Sequence, residues 1–201
     1  MDRQRKSGVA SWISVGMLQP MIFSIGAVLA LFLWQGDKGF SLWDEGYLWY
    51  GLQRVMEGDV LIRDFMAYDP GRYCWSAMLM HIWGDNGILA LRAVLAVLQA
   101  IGLYIALRLL EGKANKRTML FMLLTTITLA VWMFPRHKLF DISLSIALIG
   151  VLSAVIEQPT CARFFFAGLA IGVIAVFGRN HGLYGAIGSL GIMAYQFLAL
   201  A

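Results

Sequence analysis

Residues 88–110 read ILALRAVLAVLQAIGLYIALRLL. Twenty-three residues with two arginines and one glutamine as the only strongly polar members are enough for a helix to cross about 30 Å of hydrocarbon. Working outward, five further stretches have the same character: Val15 to Trp34, Thr118 to Phe134, Leu139 to Ile156, Phe164 to Phe177 and Leu183 to Ala201. The chain of 201 residues is 60% hydrophobic and 14% charged, with a mean hydropathy of +0.71. Such a chain has too little polar surface to coat a soluble globule, and the composition excludes disorder, a coiled coil and a secreted disulfide scaffold. The expected fold is all-α: a polytopic transmembrane bundle of about six spans forming a single domain over residues 1–201.

Net charge is +4, a small excess that does not point to nucleic acid. Cys74 and Cys161 show no metal-ligand spacing. The first apolar stretch is too long for a cleavable signal, and no A-x-A site follows it. Orientation follows from the basic residues of short connections. Arg3, Arg5, Lys6, Arg108, Lys113, Lys116, Arg117 and Arg163 fall on one side, against Arg136, Lys138 and Arg179 on the other. The first group marks the cytoplasm, so the N-terminus is expected inside. The two cysteines then lie on opposite sides and cannot pair.

Residues 35–87 form a long external segment between the first two spans. Loops of that length are uncommon without a functional reason. Two juxtamembrane helices are expected in it. Ser41-Leu-Trp-Asp44 is a capping-box pattern, with a helix running to Glu57 and stopping at Gly58. Trp43, Tyr47, Tyr50 and Arg54 share one of its faces. Asp69-Pro70 starts a second helix, Gly71 to Trp83, stopped by Gly84. Two short polar loops, 135–141 and 178–182, are expected on the same external face.

That face gathers Asp44, Glu45 and Asp141 with Arg136, His137, Lys138, Arg179 and His181, and all three histidines fall on it. A carboxylate can take a proton from a hydroxyl, and cations can hold a phosphate leaving group. The three carboxylates could equally ligate one divalent ion, but the chemistry needs no cofactor. Each residue also has a structural reading. Asp44 completes a capping box, Glu45 suits a helix dipole, Asp141 suits the N-cap of the fourth span, and Asp69 reads as a cap. Arg136 and Lys138 are ordinary snorkelling anchors, and His81 is interfacial. Arg92 reads as a snorkelling residue or an interhelical pair. Gly168 and Gly172 form GxxxG, and glycines recur every third residue from Gly182 to Gly191, as close helix packing in lipid requires. Phosphate-loop, zincin and serine-hydrolase motifs are missing from the sequence.

The order Asp44-Glu-Gly-Tyr-Leu-Trp-Tyr50, Met56-Glu-Gly58, Arg63-Asp-Phe65, Asp69-Pro70, Trp83-Gly84 and Arg92 resembles GT-C-fold membrane glycosyltransferases, in their protein-mannosyltransferase-like and aminoarabinose-transferase-like branch. Asp141 is similar to that family's second acidic position, and Arg179 to Tyr184 to its short polar loop. The likeness spans about residues 15–200. Family members are longer, so this chain reads as an N-terminal portion. The resemblance implies transfer of a sugar from a polyprenyl-phosphate donor to a lipid, glycan or protein acceptor at the outer face of a bacterial-type inner membrane. Asp44, Glu45 and Asp141 are the catalytic candidates. Arg136, His137, Lys138, Arg179, His181 and Tyr47 are the substrate-binding ones. The alternative is a non-catalytic membrane protein, a transporter or an inactive fragment. A transporter favours ionisable or broken helices at mid-membrane, and the span centres here are clean. A lipid-phosphate phosphatase favours a histidine nucleophile with a paired acid, a spacing the sequence lacks.

Overall fold

The computed structural model describes residues 3–111, 118–133 and 136–200; of these, the side chains of residues 18–110, 119–133 and 136–198 are described. Lys113, Lys116, Arg117, Phe134, Pro135 and Ala201, which figured in the sequence reading, lie outside the described residues. Among the described residues the architecture is all-helical, without a strand. Eight α-helices follow in order: α1 (Arg3–Gln35), α2 (Glu45–Met56), α3 (Pro70–Trp83), α4 (Ile88–Glu111), α5 (Thr118–Trp132), α6 (Leu139–Glu157), α7 (Cys161–Phe177) and α8 (Arg179–Leu200). A 3-10 turn, Arg136–Lys138, leads into α6.

Three segments, Leu18–Gln35, Ile88–Leu110 and Arg136–Glu157, are helical, long and apolar enough to cross a membrane, and Met119–Trp132 and Cys161–Phe177 form shorter apolar helices. Helix α8 has the length, but Arg179, Asn180, His181 and Gln196 make it more polar. Large apolar side chains such as Leu33, Trp132, Phe165 and Phe197 stand exposed around the bundle, the pattern of a surface solvated by lipid.

Helix α4 is central, packed between α1 and α6 and touching α3 and α5. Leu91, Leu95, Leu103 and Leu107 line its buried face with Met80, Met122 and Phe140. Close approach rests on small residues. A Cβ on Gly102 would meet Ser143 Oγ at 2.7 Å across the α4–α6 contact, and one on Gly182 would meet the Ala175 Cβ at 2.3 Å between α8 and α7. Gly185 and Gly188 face Leu148 and Leu152 in the same way. Gly168 and Gly172, by contrast, have nothing near them, so the GxxxG of α7 joins no contact here.

Helices α2 and α3 follow their local signals with instructive departures. Helix α3 begins at Pro70 and ends at Gly84, whose φ of 73° is the left-handed cap that glycine adopts cheaply. Helix α2 begins at Glu45, later than the capping box implies. The Ser41 carbonyl accepts both the Glu45 and Gly46 N–H groups at 3.0 Å, so the first turn is over-wide. The box is half present: Asp44 N–H donates to Ser41 Oγ (3.3 Å), and the reach back to Ser41 N–H comes from Glu45 rather than Asp44. The expected loop at 178–182 shrinks to Gly178, because α8 already starts at Arg179. Arg179 and His181 therefore lie in the first turn of a helix. Asp141 lies in the first turn of α6 rather than at its cap, a position held by Lys138.

Candidate functional site

The side chains singled out in the sequence fall into two groups. The first forms around Arg92. Arg92 is 4% exposed and lies one turn into α4. It grips Glu45 through both oxygens, Nε to Oε1 at 3.0 Å and Nη2 to Oε2 at 2.8 Å. It also donates to the carbonyls of Gly36 (2.7 Å), Lys38 (3.3 Å) and Gly39. Arg136 joins from the 3-10 turn, reaching Glu45 Oε1 at 3.5 Å and the carbonyls of Gln35 and Lys38. Two arginines thus collect the carbonyls that the end of α1 and the turn after it leave unsatisfied. Glu45, 5% exposed, is their shared counter-ion.

Asp44 points the other way. Consecutive helical residues project about 100° apart, so when Glu45 turns inward its neighbour faces out. The Asp44 carboxylate is half exposed, accepts a hydrogen bond from Ser41 Oγ (3.0 Å) and lies 3.6 Å from His137 Nδ1. Ser41 and His137, with Gln35, Lys38, Glu45 and Arg136, wall a polar cleft of about 430 Å³. Asp44 stands at its rim.

Between α1 and α4 runs an apolar groove of about 680 Å³, from Phe32 and Trp83 down to Met21 and Tyr104. Six residues of α1 line it, and Met21 to Phe32 spans about 16 Å at 1.5 Å per residue. A small cavity of about 40 Å³ has walls in common with both. It shares Val28, Phe32 and Ala96 with the groove, and Gln35 and Arg136 with the cleft.

The second group forms where α3 meets α6, α7 and α8. Arg72 donates to Asp141 Oδ1 at 2.5 Å and to the Phe177 carbonyl at 2.7 Å, and lies 3.4 Å from Asp69 Oδ2. Its guanidinium also lies over the Phe140 ring at 5.4 Å. Asp69 was expected to cap its own helix. Its side chain makes no such bond; Oδ1 instead accepts the Arg179 backbone N–H at 3.1 Å, capping α8 from a distance. The Arg179 side chain lies over the Tyr68 ring at 4.6 Å. His181 Nε2 meets Ser145 Oγ at 3.1 Å, while the buried Nδ1 has no hydrogen-bond partner.

The candidate residues are therefore brought together only in part. Glu45, Arg136 and His137 share the cleft, with Asp44 beside it through Ser41 and His137. Asp141, Arg179 and His181 belong to the second group. Lys138 is exposed and is not a wall of the cleft. Tyr47 donates to the Met66 carbonyl at 2.6 Å and so braces the loop between α2 and α3. Among the described residues no three His, Cys, Asp or Glu side chains group to hold a metal ion. Sequence reasoning missed Lys38 and Arg72 and passed over Arg92. The last carried a usable signal, a lone charge one turn into an apolar span.

Asp59 pairs with Arg54, and Asp64 with Arg63, around the α2–α3 loop. The Asp64 carboxyl is held down to about 2 by its bond to Arg63 and by the Val60 N–H. Tyr73, on α3, is pushed up to about 12 by burial and then by the neighbouring Tyr47.

No family model, no curated protein and no solved structure matches this chain.

Proposed function

We propose that the chain is a membrane glycosyltransferase that moves a sugar from a polyprenyl-phosphate donor to an acceptor hydroxyl at the outer face of a bacterial-type inner membrane. In this reading the chain crosses the bilayer six times with its N-terminus in the cytoplasm. One observation carries the reading: an apolar groove between α1 and α4 and a polar cleft lined by Lys38, Arg136 and His137 each share wall residues with one small cavity. That is the shape and polarity sequence of a prenyl chain followed by its phosphate.

The roles follow from the geometry. The prenyl tail lies along the groove, exchanging contacts with lipid for contacts with α1 and α4. Lys38, Arg136 and His137 hold the phosphate and stabilise the charge it gains as leaving group. Asp44, exposed at the rim, takes the proton of the acceptor hydroxyl. The acceptor oxygen forms a bond to the anomeric carbon as the bond to the phosphate oxygen breaks, with inversion. Glu45 is a positioning residue, since both its oxygens are committed to Arg92. Asp141 acts through Arg72, fastening α3 to the bundle. The resemblance to GT-C glycosyltransferases, in the order Asp44-Glu45 through Arg92, points the same way.

The test is direct. The purified chain in liposomes is given a polyprenyl-phosphate donor carrying a radiolabelled sugar, with hydroxyl acceptors. Acceptor-dependent release of polyprenyl phosphate supports the reading. Binding of the donor without any release supports a non-catalytic lipid-binding membrane protein instead.

A further inference from the structure

Outside the helices, large apolar side chains stand exposed in the α2–α3 loop, at Ile62 and Met66, and just where the chain leaves α1, where Trp43 is the most exposed of all. Trp34 and Leu33 end the apolar face of that helix, and after a short turn Phe40, Leu42 and Trp43 stand out again, Leu42 at 69% and Trp43 at 88% exposed. In a soluble protein such a run costs free energy with nothing to offset it. Here it continues the face of a helix long and apolar enough to span a bilayer.

The turn between them is not free to swing away. Its carbonyls at Gln35, Gly36, Lys38 and Gly39 are held by Arg92 and Arg136. The Lys38 N–H returns to the Gln35 carbonyl at 3.1 Å, so the backbone is curled rather than extended. Ser41 is bound at the far side by Glu45 and Asp44. A curled, pinned turn of this length keeps Leu42 and Trp43 close to the level at which α1 ends. Indole and leucine side chains at that level favour the boundary between headgroups and acyl chains.

We infer that the Phe40–Trp43 turn is a membrane-dipping element whose partner is the lipid bilayer itself. Phe40 and Ser41 are also walls of the polar cleft, and Asp44 follows Trp43 directly. Immersion of the turn therefore sets the cleft mouth at the headgroup plane, where a lipid-borne phosphate can enter sideways without leaving the bilayer. The inference rests on the membrane reading, but not on sugar transfer.

Depth is measured by spin labelling. Cys74 and Cys161 are replaced by serine, and labels are placed through Trp43→Cys, Leu42→Cys or Leu29→Cys in separate proteins. Each is reconstituted in phosphatidylethanolamine–phosphatidylglycerol vesicles, and collisions with oxygen and with a water-soluble nickel chelate are compared. Leu29 is exposed on α1, where that helix borders the groove, and reports membrane insertion whatever the turn does. The inference expects oxygen to dominate at all three positions, with labels 42 and 43 shallower than 29. Nickel dominating at 42 and 43 but not at 29 overturns the dipping turn and leaves the membrane reading intact. Nickel dominating at all three overturns both. Dipolar broadening between labels at 43 identifies a second copy of the chain as the cover, and also overturns it. Two labelled positions in the turn keep the result readable if one variant fails to fold.

Discussion

Arg92 Nη2 lies 2.8 Å from Glu45 Oε2, and neither side chain is more than 5% exposed. A charge pair this deep is costly to assemble and costlier to break, because removing one partner strands the other. Breaking such a pair typically destabilises by about 3–5 kcal/mol. Glu45→Met and Arg92→Met should each destabilise on that scale in detergent unfolding. The double variant Glu45→Met/Arg92→Met should lose less than the sum of the singles. Additive losses would show that the two side chains do not act as a pair.

Lys38 is exposed on the cleft wall, and its ammonium has no structural duty comparable to that of Arg136. Lys38→Ala should leave thermal stability unchanged within about 0.5 kcal/mol. Donor binding should weaken by one charge-assisted hydrogen bond, about 1.5–3 kcal/mol, or roughly 10–150-fold in Kd. Arg136→Ala should lose both affinity and stability, because it also ties down Gln35 and Lys38. Unchanged donor affinity in Lys38→Ala would remove the phosphate from this wall.

Much of the helical framework was legible from short-range signals. Pro70 and Gly84 bound α3 because proline suits a first helical position and glycine accepts a positive φ, both properties of single residues. The site was less legible because its partners are distant in sequence. Glu45 looked like half of a catalytic pair by adjacency to Asp44. Adjacent helical positions diverge, and the true partner of Glu45 lies 47 residues away. The start of α8 was read as loop from Gly178 and Gly182. Gly178 alone breaks the chain, and the cap for α8 comes from Asp69, 110 residues earlier.

Glycine contacts separate two motifs that look alike in sequence. Gly182→Ala places a methyl 2.3 Å from the Ala175 Cβ and forces α7 and α8 apart. The expected cost is about 1–3 kcal/mol. Gly168→Ala meets nothing and should be neutral or stabilising by up to about 1 kcal/mol. Thermal unfolding of the two variants side by side checks this. Equal effects would contradict the α7–α8 contact.

Arg72 ties α3 to the bundle through Asp141 and the Phe177 carbonyl. The pair is partly solvated, so screening keeps its worth modest. A double-mutant cycle on Arg72→Ala and Asp141→Ala should give a coupling of about 0.5–1.5 kcal/mol. Zero coupling would make Asp141 independent of Arg72 and return it to the list of catalytic candidates.

The proton acceptor is the centre of the proposed chemistry, and Asp44→Asn tests it most directly. Asparagine keeps the size of the side chain and its oxygen can still accept from Ser41 Oγ, so thermal stability should fall by no more than ~0.5 kcal/mol. Losing the base should slow turnover by about 10²–10⁴-fold. The measurement is sugar transfer from a polyprenyl-phosphate donor by the wild-type and Asp44→Asn chains in liposomes, with unfolding followed on the same preparations. A folded variant with transfer slowed on that scale is the expected result. A folded variant that transfers sugar at a near-normal rate, or a wild-type chain that transfers none, would contradict it.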